Sequence, residues 1–280
     1  MTHGGGRHLG HRDSGSSMSA VIAVLQARMS STRLPGKVLL PLLGVPMLTR
    51  QIERVRQAKS LDQIIVATST VSGDDAIAAE CERAGVSCSR GSLDDVLDRF
   101  YHAVEPTSAT DVVRLTGDCP LICPEIIDAV VACREHGGFD YASNAHERTF
   151  PDGLDVEVMT REALTSAWRH GRLPSEREHV TPYIWKHPEW FRSGAYRNSI
   201  DYSALRWTVD ERADYALVSM IFERLYPVNT RFRMADVLHL LESEPGLGQL
   251  NAGIQQNQGY LKSLDADRQF IGAASSSPKP

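Results

Sequence analysis

The first half of the chain alternates apolar runs with amphipathic segments, and this restricts the fold more than any other feature. The stretch from Ala20 to Gln26 and "QIIVATS" at Gln63 to Ser69 are short, apolar and rich in β-branched residues, so both read as buried strands. "VSCSRG" and "DVVRLTGD" supply two more. Helical patterns separate them: Pro46 to Ala58, "DDAIAAECERAG" with carboxylates first and Gly85 last, and "LDDVLDRFYHAV". "PEIIDAVVACREHGG" then places Pro124 in its first turn and glycine past its end. Such alternation predicts an α/β fold, an open, mostly parallel sheet with helices on both faces.

The second half is less regular. "GLDVEVMT" (Gly153 to Thr160) and "ALRWTVD" (Ala204 to Asp210) read as strands, and "SEREHVTPYIWKH" (Ser175 to His187) as a helix with Pro182 at a kink or early turn. "TREALTSAWRHG", "ERADYALVSMIFERLY" and "MADVLHLLES" read as helices. After about Pro245 the chain turns polar, and "AASSSPKP" reads as a disordered tail. Residues 1–19, rich in Gly, Ser and His, read as a disordered leader, with Met18 as an alternative start.

Composition excludes several function classes. The 280 residues carry a net charge of −5 and no basic run, which argues against a nucleic-acid partner held on a cationic face. Five cysteines, an odd number without a C-x-x-C pair, argue against a disulfide framework and a structural zinc site. Free thiols in a reducing cytoplasm fit better. No apolar run approaches the roughly 20 residues that span a bilayer, so no membrane role is expected.

The loop after the first strand, "ARMSSTRLPGK", holds Arg28, Arg33 and Lys37. It lacks the G-x-G-x-x-G of a dinucleotide fold and the G-x-x-x-x-G-K-[ST] of a P-loop. On position alone it reads equally as an anion site or as solvated surface cations. Two further segments change the balance. "VVRLTGD" ends at Asp118 and "LRWTVD" at Asp210. In open α/β sheets ligands sit outside the carboxyl ends of the strands. Two carboxylates there, beside bound phosphates, make a Mg²⁺ site, since Mg²⁺ takes one or two carboxylates plus phosphate oxygens and water. Each aspartate alone reads equally as a turn residue or helix cap.

The ordered series "ARMSSTRLPGKVL", "GVPML", "VATS", "RGSLDDVLDRF", "VVRLTGDCPLI", "FDYASN", "TFPDGLDVEV", "EREHVTPYI" and "LRWTVDE" resembles the cytidylyltransferases that include CMP-sialic acid and CMP-Kdo synthetases. It is most similar to the branch of spore coat polysaccharide biosynthesis protein F. The resemblance implies a three-layer, Rossmann-like nucleotidyltransferase fold over 20–245, with 246–280 as a polar extension and tail. It implies transfer of CMP from CTP to a small acidic acceptor, such as an acidic sugar, with release of pyrophosphate. Arg28 and Lys37 would act in catalysis, and Arg28, Arg33, Lys37 and Arg90 would bind the nucleotide. Asp118 and Asp210 would hold Mg²⁺. Region 145–205 would serve the acceptor and a homodimer contact, and Asn144, Asp152, Glu157 and His179 are the acceptor candidates. Each of those four also has a structural reading, as turn, solvated strand residue or packing group.

Three alternatives stay open on the sequence. One uses another triphosphate or a phosphonate acceptor. A second is a nucleotide-sugar glycosyltransferase, though "TGDC" offers one aspartate where a D-x-D motif needs two. The third is a binding module without turnover.

Overall fold

The computed structural model describes residues 20–276. The predicted leader, 1–19, and the last four residues of the predicted tail lie outside the described residues. The chain opens with β1 (Val21–Gln26), a 3-10 turn at Lys37–Leu39, a short hairpin of β2 (Pro41–Leu42) and β3 (Val45–Pro46), and α1 (Met47–Val55). There follow β4 (Gln63–Ser69), α2 (Asp75–Arg83), β5 (Ser87–Gly91), α3 (Val96–Val104), β6 (Asp111–Thr116) and α4 (Pro124–Gly137). The second half holds β7 (Tyr141–Ser143), β8 (Glu157–Thr160), α5 (Arg161–His170), α6 (Pro174–His179), α7 (Pro182–Trp185) and β9 (Ser193–Ala195). Four helices complete it: α8 (Arg212–Leu225), α9 (Met234–Ser243), α10 (Pro245–Gly248) and α11 (Gln258–Ser276).

The main sheet runs β5-β4-β1-β6-β8-β7-β9. β5, β4, β1 and β6 pair in parallel, and β8 is antiparallel to both its neighbours. Strand alternation sorts the side chains into two cores. Ala23 and Leu25 face a layer built on α1, α4, α8 and α9, whereas Ile22 and Val24 face α3, α5 and α7. This is the predicted α/β fold with helices on both sides. Strand order reverses between β1 and β6, so the crevice at their carboxyl ends is the expected ligand position.

Two glycines allow the close approaches that shape this crevice. A Cβ on Gly117, just past β6, would meet the Gln26 carbonyl oxygen at 2.9 Å. Gly153 has φ +109°, and a Cβ there would meet the backbone N of Thr208 at 2.5 Å. The Asp152–Gly153 turn is thereby pressed onto the segment that leads to Asp210.

Four sequence expectations need correction. "ALRWTVD" forms no strand and contributes only an isolated bridge between Arg206 and Asp152. Its backbone N–H groups at Trp207 and Thr208 both donate to the Asp152 carbonyl, at 2.6 and 2.9 Å, instead of to the sheet. Ser175 to His187 is not one helix. It breaks at Val180, ahead of Pro182, where φ is +70°. β7 and β9 were not anticipated, because three residues carry no readable period. The polar stretch after Pro245 folds into α10 and the 19-residue α11. The buried face of α11 presents Ser263 and Asp267, so apolar periodicity could not reveal it.

Gly153→Ala is expected to cost about 2–4 kcal/mol, from a positive φ and an overpacked backbone contact. Urea denaturation would measure it. A loss below about 0.5 kcal/mol would mean the turn can move away from Thr208.

Candidate active site

The loop Ala27–Leu39 and the turn after β6 meet at the sheet's switch point. Lys37 is the hub. Gly36 and the 3-10 turn bring its side chain inward until the residue is only 8% exposed. Its Nζ donates to Asp118 Oδ2 at 3.0 Å, to Asp210 Oδ1 at 2.7 Å and to the Val209 carbonyl at 2.8 Å. All three ammonium N–H groups are therefore satisfied. Burial pulls the Lys37 pKa down, but Asp118 and Asp210 outweigh it and hold it above the ordinary lysine value. Burial pushes the Asp118 carboxyl up, and Lys37 with hydrogen bonds from Thr116 and Cys119 reverses that to a value well below the usual carboxylate range. Both partners stay charged at neutral pH.

Asp210 is held from several sides. Arg33 reaches its Oδ2 at 3.0 Å, and so does Arg206. Arg206, a buried guanidinium, also pairs with Asp152 at 3.2 Å and Asp214 at 2.9 Å. Asp214 is fully buried at the third position of α8. Its Oδ2 accepts the backbone N–H of both Asp210 and Glu211, at 3.0 Å each. The start of α8 thus fixes the loop that carries Asp210, as a capping carboxylate does.

These groups line a cavity of about 560 Å³. Arg28, Arg33, Lys37, Asp118, Asp152, Asp210 and His179 all face it. Arg28 is exposed and makes no hydrogen bond or ion pair among the described residues. A second cavity of about 350 Å³ adjoins the first, sharing Arg114, Arg148, Asp155, His179, Asn257 and Tyr260 with it. Glu157 and Thr181 lie on this second side. Glu157 sits opposite Arg114 across the β6–β8 ladder, forms an ion pair with it and accepts hydrogen bonds from Thr181 and the Tyr141 hydroxyl.

Two expected site residues do not join this group. Arg90 ties Ser69 O, Val71 O and Asp75 together beside β5, and it lines neither cavity. Asn144 is buried, donates to Leu154 O at 2.8 Å and accepts from Val156 N at 2.7 Å. It braces the turn behind the site. Sequence reasoning missed Arg114, Arg148, Asp155, Arg206 and Asp214. A signal existed for Arg114 and Arg206, since each is a cation inside an apolar run. None existed for the residues of α11.

A divalent cation suits the Asp118 and Asp210 pair by its chemistry. Both offer hard oxygen donors, and both already converge on one positive charge, the Lys37 ammonium. No cluster of three or more His, Cys, Asp or Glu side chains forms a metal cage among the described residues. Further coordination of such a cation would fall to other oxygens and water, an arrangement Mg²⁺ commonly takes.

Asp214→Ala is expected to destabilise the fold by about 3–5 kcal/mol, because it leaves the buried Arg206 short of its best-paired carboxylate. Thermal or urea unfolding reads this directly. Asp155 supplies a pH test. Burial, together with Asp152, Glu157 and Asp118, pushes its pKa up to about 7 against the pull of Arg148. The unfolded value is about 3.9. The folded chain therefore binds more protons through this window, and stability falls as pH rises from about 4 to 7. Relative to Asp155→Asn, the wild type should lose roughly 1–2 kcal/mol between pH 5 and 8. Parallel pH curves for the two proteins would contradict it.

Residues 22–258 match the family model described as Cytidylyltransferase. The spore coat polysaccharide biosynthesis protein SpsF of Bacillus subtilis is 35% identical over 214 residues, covering 74% of this chain and 88% of that protein. A cytidylyltransferase structure from Leptospira borgpetersenii aligns with a TM-score of 0.78 and 33% identity, over 82% of this chain and 97% of that one. The structure of a CMP:2-keto-3-deoxy-manno-octonic acid synthetase complexed with CTP shares the fold, with a TM-score of 0.57, 18% identity, and coverage of 74% and 99%. A chain so matched along most of its length, with its charged residues gathered at the switch point, belongs to the cytidylyltransferase family.

Proposed function

We propose that this enzyme transfers CMP from CTP to a small acidic acceptor, an acidic sugar or a chemical relative of one, in a Mg²⁺-dependent reaction that releases pyrophosphate. One observation carries the reading. Asp118 and Asp210, 92 positions apart, converge on Lys37 inside a polar cavity whose mouth holds the unpaired Arg28.

Asp118 and Asp210 would hold the cation. When bound, it would neutralise charge on the triphosphate and orient the α-phosphate for in-line attack. The chain's own residues do the remaining work by positioning and charge. Arg28 has free donors for phosphate oxygens, and arginine's planar fork suits them. Arg33 stands on Asp210 and Glu211 and closes the same side. Lys37 keeps the two carboxylates together and charged, and its ammonium would add positive charge beside a bound triphosphate. The acceptor fits the adjoining cavity, where Arg114 and Arg148 supply positive charge, and Asp155, Glu157, Thr181 and His179 supply hydrogen-bond partners. The acceptor oxygen attacks the α-phosphorus, the bond to the β-phosphate breaks, and the acceptor's proton leaves to a nearby base or water.

No helix among the described residues is long and apolar enough to cross a membrane. Free thiols and a nucleotide substrate support a cytoplasmic setting. The indole of Trp190, 62% exposed, supports a homodimer contact within the 145–205 region.

The test is calorimetry of the four ribonucleoside triphosphates with Mg²⁺ on the wild type and on Asp118→Ala. Selective CTP binding, weakened at least tenfold by Asp118→Ala, is the expected result. Equal binding of all four would remove the cytidine specificity, and no binding would sink the cavity as a nucleotide site.

A further inference from the structure

α11 begins where the family match ends, at residue 258, yet it closes the site. Gln258, Gly259, Tyr260 and Lys262 line the larger cavity, and of these Tyr260 also lines the second. The helix is fastened to α6 by buried polar contacts. Asp267 accepts the Ser175 N–H at 2.8 Å and the Ser175 hydroxyl at 2.6 Å. Ser263, 3% exposed, lies 2.9 Å from His179 Nε2. The Tyr260 ring meets the His179 ring edge-on, with centroids 5.2 Å apart.

The hydroxyl geometry bears on where the imidazole carries its proton. Ser263 has one hydrogen to give. Besides His179 Nε2 at 2.9 Å, its acceptors are Glu178 Oε2 at 2.6 Å and the Gly259 carbonyl at 3.1 Å, and the carboxylate is the nearest of the three. With its hydrogen committed to the carboxylate, Ser263 Oγ accepts from His179, so the imidazole carries its proton on Nε2. Nδ1 then holds a bare lone pair, and it has no partner among the described residues. Burial and Arg114 push the His179 pKa down to about 4, so the ring is neutral at pH 7.

The backbone supports the same point. Val180 takes φ +70° and ψ −56°, and the Thr181 N–H bonds back to the His179 carbonyl at 2.8 Å. This is a γ-turn with positive φ, a strained choice for a β-branched residue. It sets His179 and Thr181 side by side on the second cavity. Strain of this kind persists where the surroundings over-determine it, commonly at functional sites.

We infer that α11 is a built wall where the two cavities meet, and that Ser263 is a positioning residue holding His179 in the Nε2–H tautomer so that Nδ1 accepts a hydrogen bond from a hydroxyl of the acceptor. The inference rests on the nucleotidyltransferase reading for the identity of the cavity, and on the contacts of α11 for everything else.

Nitrogen-15 NMR of the full chain, labelled at histidine and assigned with His179→Gln, reads the tautomer directly. The wild type should show the Nε2–H form as a single species at pH 7.5. Ser263→Ala should shift the pattern toward a mixture, and Ser263→Thr should restore it. CTP affinity, measured on the same samples with Mg²⁺, should stay within about twofold across the three proteins. An Nδ1–H signal in the wild type, or an unchanged pattern in Ser263→Ala, would overturn the positioning role. A tenfold loss of CTP affinity in Ser263→Ala would move α11 to the nucleotide half of the site. If the wild type itself binds no triphosphate, the acceptor role falls, whereas the tautomer result still judges the Ser263 contact.

Discussion

A buried ammonium between two carboxylates organises this molecule. Lys37 comes from the loop after the first strand, Asp118 from the turn after β6, and Asp210 from the segment that enters α8. None of these three could sit there alone. Desolvation of one unpaired charge costs several kcal/mol, whereas mutual pairing with a backbone carbonyl as third partner offsets much of that. The pairing therefore links three distant parts of the chain at the one place where the strand order reverses. It also leaves the carboxylates preassembled at a spacing set by a cation. A site built to receive a charged ligand needs that arrangement before the ligand arrives.

Asp210 is in turn positioned by Arg206 and by Asp214, which lines neither cavity. Asp214 holds the backbone on both sides of the Asp210–Glu211 bond and neutralises Arg206, which reaches back to Asp152 and Asp210. Asn251 adds a further hydrogen bond to Asp214 at 2.8 Å. The network is satisfied on nearly every donor, which is the condition under which buried polar groups rigidify a site instead of destabilising it. Gly153 lets the Asp152 turn touch this segment at backbone distance.

How much of this was legible follows from the physical nature of each signal. β1, β4 and β6 were readable because central parallel strands are buried on both faces, and their sequences become nearly continuous apolar runs. Asp118 was readable because it follows such a run, Asp210 because it ends an apolar segment, and Lys37 because it is a cation in the loop after β1. Arg90 and Asn144 were misplaced for a different reason. A polar residue at a strand end can turn outward to a ligand or inward to backbone carbonyls, and only the path of neighbouring chain decides. For Arg90 the nearby carbonyls of Ser69 and Val71 decide it. The segment "ALRWTVD" has the composition of a strand, but its Trp207 and Thr208 N–H groups go to the Asp152 carbonyl and its Val209 N–H to the Asp118 carbonyl, long-range facts that no local pattern encodes.

The C-terminal helix marks the limit most clearly. Its contacts with α6 run through Ser263 and Asp267, so its sequence looks like solvated chain. Polar docking of this kind has a functional corollary. An apolar seam would be indifferent to the protonation of its neighbours, whereas a hydroxyl that has already committed its hydrogen imposes a direction on the histidine it meets. The larger cavity is lined by loops at the carboxyl ends of the parallel strands and by the start of α11. The second cavity adds His179 and Thr181 on either side of the strained Val180 turn, and Tyr260 of α11. Ligands that differ only in the placement of a hydroxyl are distinguished by hydrogen-bond direction and not by charge, so on the proposed function this is the side on which enzymes sharing one nucleotide would diverge in the second substrate.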